Sequence, residues 1–160
     1  MSNNNPDNLF WESRRMRLAA GRTPNIAVGI LGPRARLRVS VLLNTMPEYR
    51  VRYIISKDEI ADVVADSDIV LGTGLTACEG ILCHKPVVVV GDYGLGGLVT
   101  PQTLRNHFDN RFKGKLYGVK DEYFSLERVE EEMKKSEILT FQELEIMSNQ
   151  VKTFLQNIDF

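Results

Sequence analysis

The chain has 160 residues, 43% of them hydrophobic and 26% charged, with a net charge of −1. That is enough for one globular domain with its own core and no covalent staples. No apolar run approaches the roughly 20 residues needed to span a bilayer, and the opening Met-Ser-Asn-Asn-Asn-Pro-Asp lacks the charged and apolar regions of a signal peptide. Cys78 and Cys83 lie five apart on one short predicted helix, so they point different ways and read as two reduced thiols. The expected location is cytoplasmic.

The small net charge hides an asymmetry. Residues 1–57 carry ten Lys/Arg, namely Arg14, Arg15, Arg17, Arg22, Arg34, Arg36, Arg38, Arg50, Arg52 and Lys57, against Asp7, Glu12 and Glu48. That gives +7 in this part and −8 in the rest. A basic half suits a phosphate-bearing ligand or peripheral contact with an anionic membrane; exposed arginines on helix faces are the plainer account. Nucleic acid is not expected as a partner, because the overall balance is acidic and no aromatic-basic recognition motif occurs.

In chain order, residues 1–24 read as a polar tail with a short helix over Leu9–Ala20, and residues 25–160 as one domain. Five short apolar runs predict strands: Ile26–Leu31, Val51–Ile55, Ile69–Leu71, Val87–Val90 and Leu116–Val119. Helical stretches lie between them at Ala35–Asn44, Lys57–Ala65, Leu75–Cys83 and Pro101–Asn106, followed by Ser125–Lys135 and Thr140–Asn157. Strands and helices alternate, and several strands are apolar on both faces. The expected fold class is therefore α/β: a Rossmann-like, doubly wound parallel sheet of about five strands with helices on both faces. Ser56-x-x-Glu59 and Thr140-x-x-Glu143 read as capping boxes, and Thr100-Pro101 as a helix start. Phe141, Leu144, Met147, Val151, Phe154 and Leu155 form one apolar stripe on the last helix.

The informative segment is Asp66–Asp92, a strand, a glycine turn, a short helix, a Lys-Pro stop and a second strand. Gly72 and Gly74 let the backbone turn sharply and approach a ligand. The helix that follows aims its first N–H groups, and the positive end of its dipole, at the turn. Thr73 and Thr76 add hydroxyl donors. A phosphate site and a tight structural turn both fit this pattern. A second glycine-rich loop, Gly91–Thr100, follows the next strand, and Gly29-Ile-Leu-Gly-Pro-Arg34 makes a third glycine turn after the first. Ligands of open α/β sheets sit at such strand ends. Glu79 has two readings, a carboxylate for a ribose diol or the acidic member of a Thr76-x-x-Glu79 capping box. His84 falls where a helix ends and reads as a dipole cap. No catalytic triad elbow, P-loop or metal-ligand spacing occurs, so no metal and no cofactor is expected, and catalytic residues are unknown.

These residues resemble the C-terminal, nucleotide-sugar-binding half of a GT-B glycosyltransferase. Val28-Gly-Ile-Leu-Gly-Pro-Arg34 is similar to the glycine-proline turn that ends that half's first strand. Ala61–Gly74 resembles its helix followed by an Ala-Asp-Ile-Val strand, here with Ser67 before Asp68. Thr76–Val90 looks like its Thr-Ala-x-Glu-Gly-x-x-x-x-Lys-Pro-Val-Val-Val run and is the most specific of the three. The resemblance covers about Asn25 to Lys135. It implies a UDP-sugar site in which Gly72, Thr73, Gly74 and Thr76 hold the diphosphate and Glu79 binds the ribose. Gly94, Gly96 and Gly97 would then lie near the sugar, and Ile55-Ser56 would face the base.

The sequence departs from that family in two ways. Leu71 stands where retaining members carry a second glutamate, and only about 25 residues stand where the acceptor-binding domain would be. The resemblance therefore implies one half or subunit of a glycosyltransferase, inactive without an acceptor-binding partner or a second copy. Two further readings stay open. Gly72-x-Gly74-x-x-Ala77, with Asp92 eighteen residues after Gly74, is also a dinucleotide fingerprint and would make this an NAD(P)-binding domain. The third reading is a non-catalytic interaction module that retains the fold.

Overall fold

The computed structural model describes residues 24–114 and 124–157. The chain runs β1 (Asn25–Val28), α1 (Pro33–Asn44), β2 (Arg50–Tyr53), α2 (Ile60–Ala65), β3 (Ile69–Gly72), α3 (Gly74–Leu82), β4 (Val87–Gly91), β5 (Gly94–Leu98), α4 (Leu104–Asp109), α5 (Leu126–Lys135) and α6 (Phe141–Gln156). The strands form one sheet in the order β2-β1-β3-β4-β5. The first four are parallel and β5 is antiparallel to β4.

β3 and β4 are buried along their whole length, as their unbroken apolar runs predict. α1 and α5 touch each other, while α3 packs against both α2 and α6. With right-handed crossovers, this places α1 and α5 on one face and α2, α3 and α6 on the other. The fold is the expected Rossmann-like α/β class. The α6 stripe behaves as its spacing predicts, with Phe141, Leu144, Met147 and Val151 buried.

The fifth strand is not where the sequence pattern put it. Leu116–Val119 lies outside the described residues, as does the helix expected over Leu9–Ala20. The expected Gly91–Thr100 loop is instead a hairpin turn into β5, which pairs Gly91 with Gly94 and Val88 with Leu98. Its glycines masked the strand. Yet Leu98 is buried and Leu95 packs on the core, and the free edge of β4 supplies the ladder.

The helix expected from Pro101 begins three residues later. Thr100 and Thr103 bond reciprocally first, Thr100 N–H to Thr103 Oγ1 at 2.9 Å and Thr103 N–H to Thr100 Oγ1 at 3.2 Å. The Thr140–Glu143 capping box forms in full. The Ser56–Glu59 box does not: the Ser56 side chain makes no cap bond, and Glu59 accepts from the Ile55 N–H instead.

Asp68 and Lys85 hold the amino-terminal ends of the central strands. The buried Asp68 accepts the Asn25 N–H at 2.7 Å, tying the start of β3 to the start of β1. Lys85, 3% exposed, donates to the Ala65 carbonyl at 3.1 Å, where a cation suits the C-terminus of α2. The Lys-Pro stop is thus a positioning device for β4.

Candidate functional site

β2, β1, β3 and β4 are parallel, so their carboxyl ends share one rim. Ile55-Ser56, Gly29–Arg34, Gly72–Thr76 and Gly91-Asp92 lie along it in that order. The centre of the rim is the β3–α3 turn. Thr73 is the N-cap residue in extended conformation, and Gly74 opens the helix with φ +54. That left-handed geometry favours glycine, and a Cβ added there would meet nothing within 4 Å. Gly74 therefore faces open space.

Gly72 has a different reason. A Cβ there would approach Thr76 Cγ2 at 3.1 Å, and one on Gly29 would approach the same atom at 3.0 Å. These two glycines let the first turn of α3 settle on the ends of β1 and β3, with Thr76 only 4% exposed. The sequence offered a phosphate site or a tight structural turn; Gly72 packs as a tight turn requires, and Gly74 leaves its backbone open.

The first N–H groups of a helix have no partner within it. Here the Gly74 N–H donates to the Phe112 carbonyl at 2.9 Å. The next two, Leu75 and Thr76, have no acceptor among the described residues. α3 thus presents two open donors and the positive end of its dipole to the rim.

Glu79 is not a capping residue. The helix starts at Gly74, which leaves Thr76 and Glu79 both inside it and overturns the Thr76-x-x-Glu79 box. Its half-buried carboxylate accepts from Cys83 Sγ at 3.6 Å, toward the C-terminal end of α3 and away from the turn.

The glycines expected in the sugar loop sit in β5. Gly96 is the extra residue at the register shift between Val89 and Val90. Its added Cβ would come within 3.1 Å of Gly114 Cα, so two backbones meet there. Gly94 lies at the rim opposite Gly91, whereas Gly97 pairs with Val89, further down the sheet, and faces Glu132. Ile55 is 78% exposed beside the exposed Ser56. Ile30 and Leu75 are likewise exposed on the same rim.

Of the basic half, Arg14, Arg15, Arg17 and Arg22 lie outside the described residues. Arg36 stacks over the Tyr53 ring at 5.0 Å, and Arg38 lies over the Phe124 ring at 4.9 Å and donates to its carbonyl. These two arginines pack elements together. Arg34, exposed at the first turn of α1, ends the Gly29–Arg34 turn.

Sequence reasoning missed two features. The Asp92 carboxylate reaches across the end of β3 to the N-cap of α1, where a Cβ on Gly32 would clash with Asp92 Oδ1. α1 has no acidic residue in its own first turn, and Asp92 supplies the negative charge from another strand. The other feature is the segment Asn110–Gly114, which crosses to α3 and offers a carbonyl to its first N–H; no motif marks it.

His84 ends α3 in the left-handed conformation, with its N–H on the Ile81 carbonyl at 3.0 Å and the Lys85 N–H on the Gly80 carbonyl at 2.9 Å. Its ring stacks on Phe141 at 5.4 Å. Backbone termination and stacking therefore account for it. Thiol chemistry has no support at Cys78, since burial, and secondarily the Glu79 charge, push its pKa up to about 12.

An open groove of about 630 Å³ lies between α4 and α6, lined by Phe108, Asn149, Gln150, Thr153, Phe154 and Asn157. It contains none of the expected site residues. Among the described residues, no group of His, Cys, Asp and Glu could hold a metal ion, and no helix is long and apolar enough to cross a membrane. No family model, curated protein or solved structure matches this chain, so the case for its site rests on residues and geometry.

Proposed function

We propose that the chain binds a nucleoside-diphosphate sugar, a UDP-sugar first, as the donor-binding half of a glycosyltransferase whose acceptor half is another domain, subunit or copy. The observation that carries the reading is the β3–α3 turn: a left-handed glycine facing open space, followed by two backbone N–H groups without acceptors. That is the constellation a diphosphate uses at a helix N-terminus, and it lies where the Ala61–Gly74 piece of the resemblance meets the Thr76–Val90 run. The chain alone is expected to bind donor without transferring sugar, because no described base stands ready for an acceptor and positioning contributes much of the rate.

Isothermal titration tests the ligand class. UDP or a UDP-sugar should bind with a Kd of roughly 0.1–1 mM, weak because half the cleft is missing, and NAD should bind more weakly. Tight NAD binding without a UDP response would overturn the reading and favour the dinucleotide fingerprint.

Glu79 supplies a second check. In this reading its carboxylate swings from Cys83 to the ribose by rotamer changes in a half-buried side chain. Glu79→Gln keeps the size but loses the charge that strengthens that hydrogen bond, so nucleotide affinity should fall about tenfold. Thermal stability should hold, since the substitution weakens only a thiol hydrogen bond that is long and weak to begin with. Unchanged affinity would remove Glu79 from the site.

A further inference from the structure

The α3 turn is not fully open, and the segment that partly closes it carries visible costs. Asn110–Gly114 leaves α4 through a helix-ending motif: the Arg111 N–H bonds the Phe108 carbonyl at 3.1 Å and the Phe112 N–H bonds the His107 carbonyl at 2.8 Å. Two consecutive non-glycine residues, Arg111 at φ 57 and Phe112 at φ 59, adopt the left-handed conformation. That region is unfavourable for residues with a Cβ and persists only when the surroundings enforce it.

Among the described residues, His107 Nδ1, His107 Nε2 and Asn110 Oδ1, all buried beside this segment, lack partners. His107 is only 3% exposed, so water does not reach it from the surface. Against these costs stand the Phe112 ring in its aromatic cluster, the Asn110 Nδ2 bond to the Gly114 carbonyl at 2.7 Å, and the Phe112 carbonyl on the Gly74 N–H.

We propose that Asn110–Gly114 is a latch on the β3–α3 turn. Closed, its Phe112 carbonyl takes the place of a ligand oxygen at the Gly74 N–H; opened, it releases that donor to join those of Leu75 and Thr76. The left-handed strain at Arg111 and Phe112 favours local release of the Phe112 carbonyl by rotation of its peptide, with the buried ring still seated and the sheet intact. The ligand side of this inference rests on reading the turn as a diphosphate site. The apparent Kd is then the intrinsic Kd divided by the fraction of molecules in the open state.

Native-state hydrogen exchange on the whole chain separates the latch from its ligand. The Gly74 amide should exchange at least about tenfold faster than the Val70 amide, which bonds the Pro86 carbonyl inside the sheet. Arg111→Gly, at an exposed position, relieves one left-handed residue and should slow Gly74 exchange several-fold. Arg111→Val, whose branched Cβ resists that conformation, should speed it. UDP affinity should move opposite to closure, falling in Arg111→Gly and rising in Arg111→Val by similar factors.

Gly74 exchanging at the Val70 rate in all three proteins would overturn the latch. So would slowed exchange in Arg111→Gly with UDP affinity unchanged. UDP binding to none of the three, with Gly74 still exchanging locally, would overturn the nucleotide reading and leave the latch standing.

Discussion

Phe112→Ala is expected to destabilise the chain by about 3–5 kcal/mol, the usual cost of truncating a fully buried aromatic. Phe112 is fully buried and the largest such side chain among the described residues. Its ring stacks on His107 at 5.7 Å and meets Phe108 and Phe154 edge-on at 5.7 and 5.9 Å. Through Phe154 it joins α4 to α6, and through its carbonyl it joins both to the start of α3. Removing the ring leaves a cavity among His107, Phe108 and Phe154 and unseats the segment whose carbonyl holds the Gly74 N–H. The melting temperature should fall by roughly 10 °C for a chain of this size. Phe112→Leu, which keeps most of the volume, should lose only about 1–2 kcal/mol. Urea unfolding of both variants checks this, and a loss below about 1 kcal/mol in Phe112→Ala would show that the aromatic cluster is not part of the cooperative core.

The main path of the fold was legible because its signals are local and repeated. β3 is an unbroken apolar run that ends at a glycine turn, β4 one that starts after a Lys-Pro stop, and α6 shows a helical stripe with a complete capping box. The rim was legible for the same reason, since Gly72-Thr-Gly74 needs no tertiary information to read as a turn before a helix. β5 was not, because its glycines answer to distant contacts: Gly96 to Gly114, and Gly97 to Glu132. Composition alone cannot tell such glycines from loop glycines.

The latch was hidden for a sharper reason. Phe112 contributes to the site through a backbone carbonyl, which every residue possesses, and Arg111 and Phe112 occupy left-handed conformations that sequence pattern assigns to glycine or asparagine. Asp92 was visible as an acid at a strand end. That it serves α1, two strands away, follows from the strand order β1-β3-β4.

The second large effect concerns acid. His107 sits on α4 with both ring nitrogens buried and without a partner among the described residues, and burial pushes its pKa from 6.5 down to about 4. Above pH 6.5 the ring is neutral in both folded and unfolded chains, and this linkage costs nothing. As pH falls from 6.5 toward 4, the unfolded chain takes up a proton that the folded chain refuses, so stability is lost through that window and the loss levels off below it. The shift corresponds to about 3 kcal/mol in full, most of which should be lost by about pH 4.5. His107→Phe keeps the stack on Phe112, which lies 13° from parallel, and removes both the titration and the unpartnered nitrogens. The variant should therefore match or exceed the parent in stability at pH 7. Between pH 7 and pH 4.5 it should lose about 2–3 kcal/mol less than the parent by urea unfolding. Carboxylates that protonate in the same range contribute equally to both proteins, so the difference isolates the histidine. Parallel acid limbs would mean that the ring takes its proton in the folded state, which requires a partner or water at His107 and hence a looser packing of the latch than the one described.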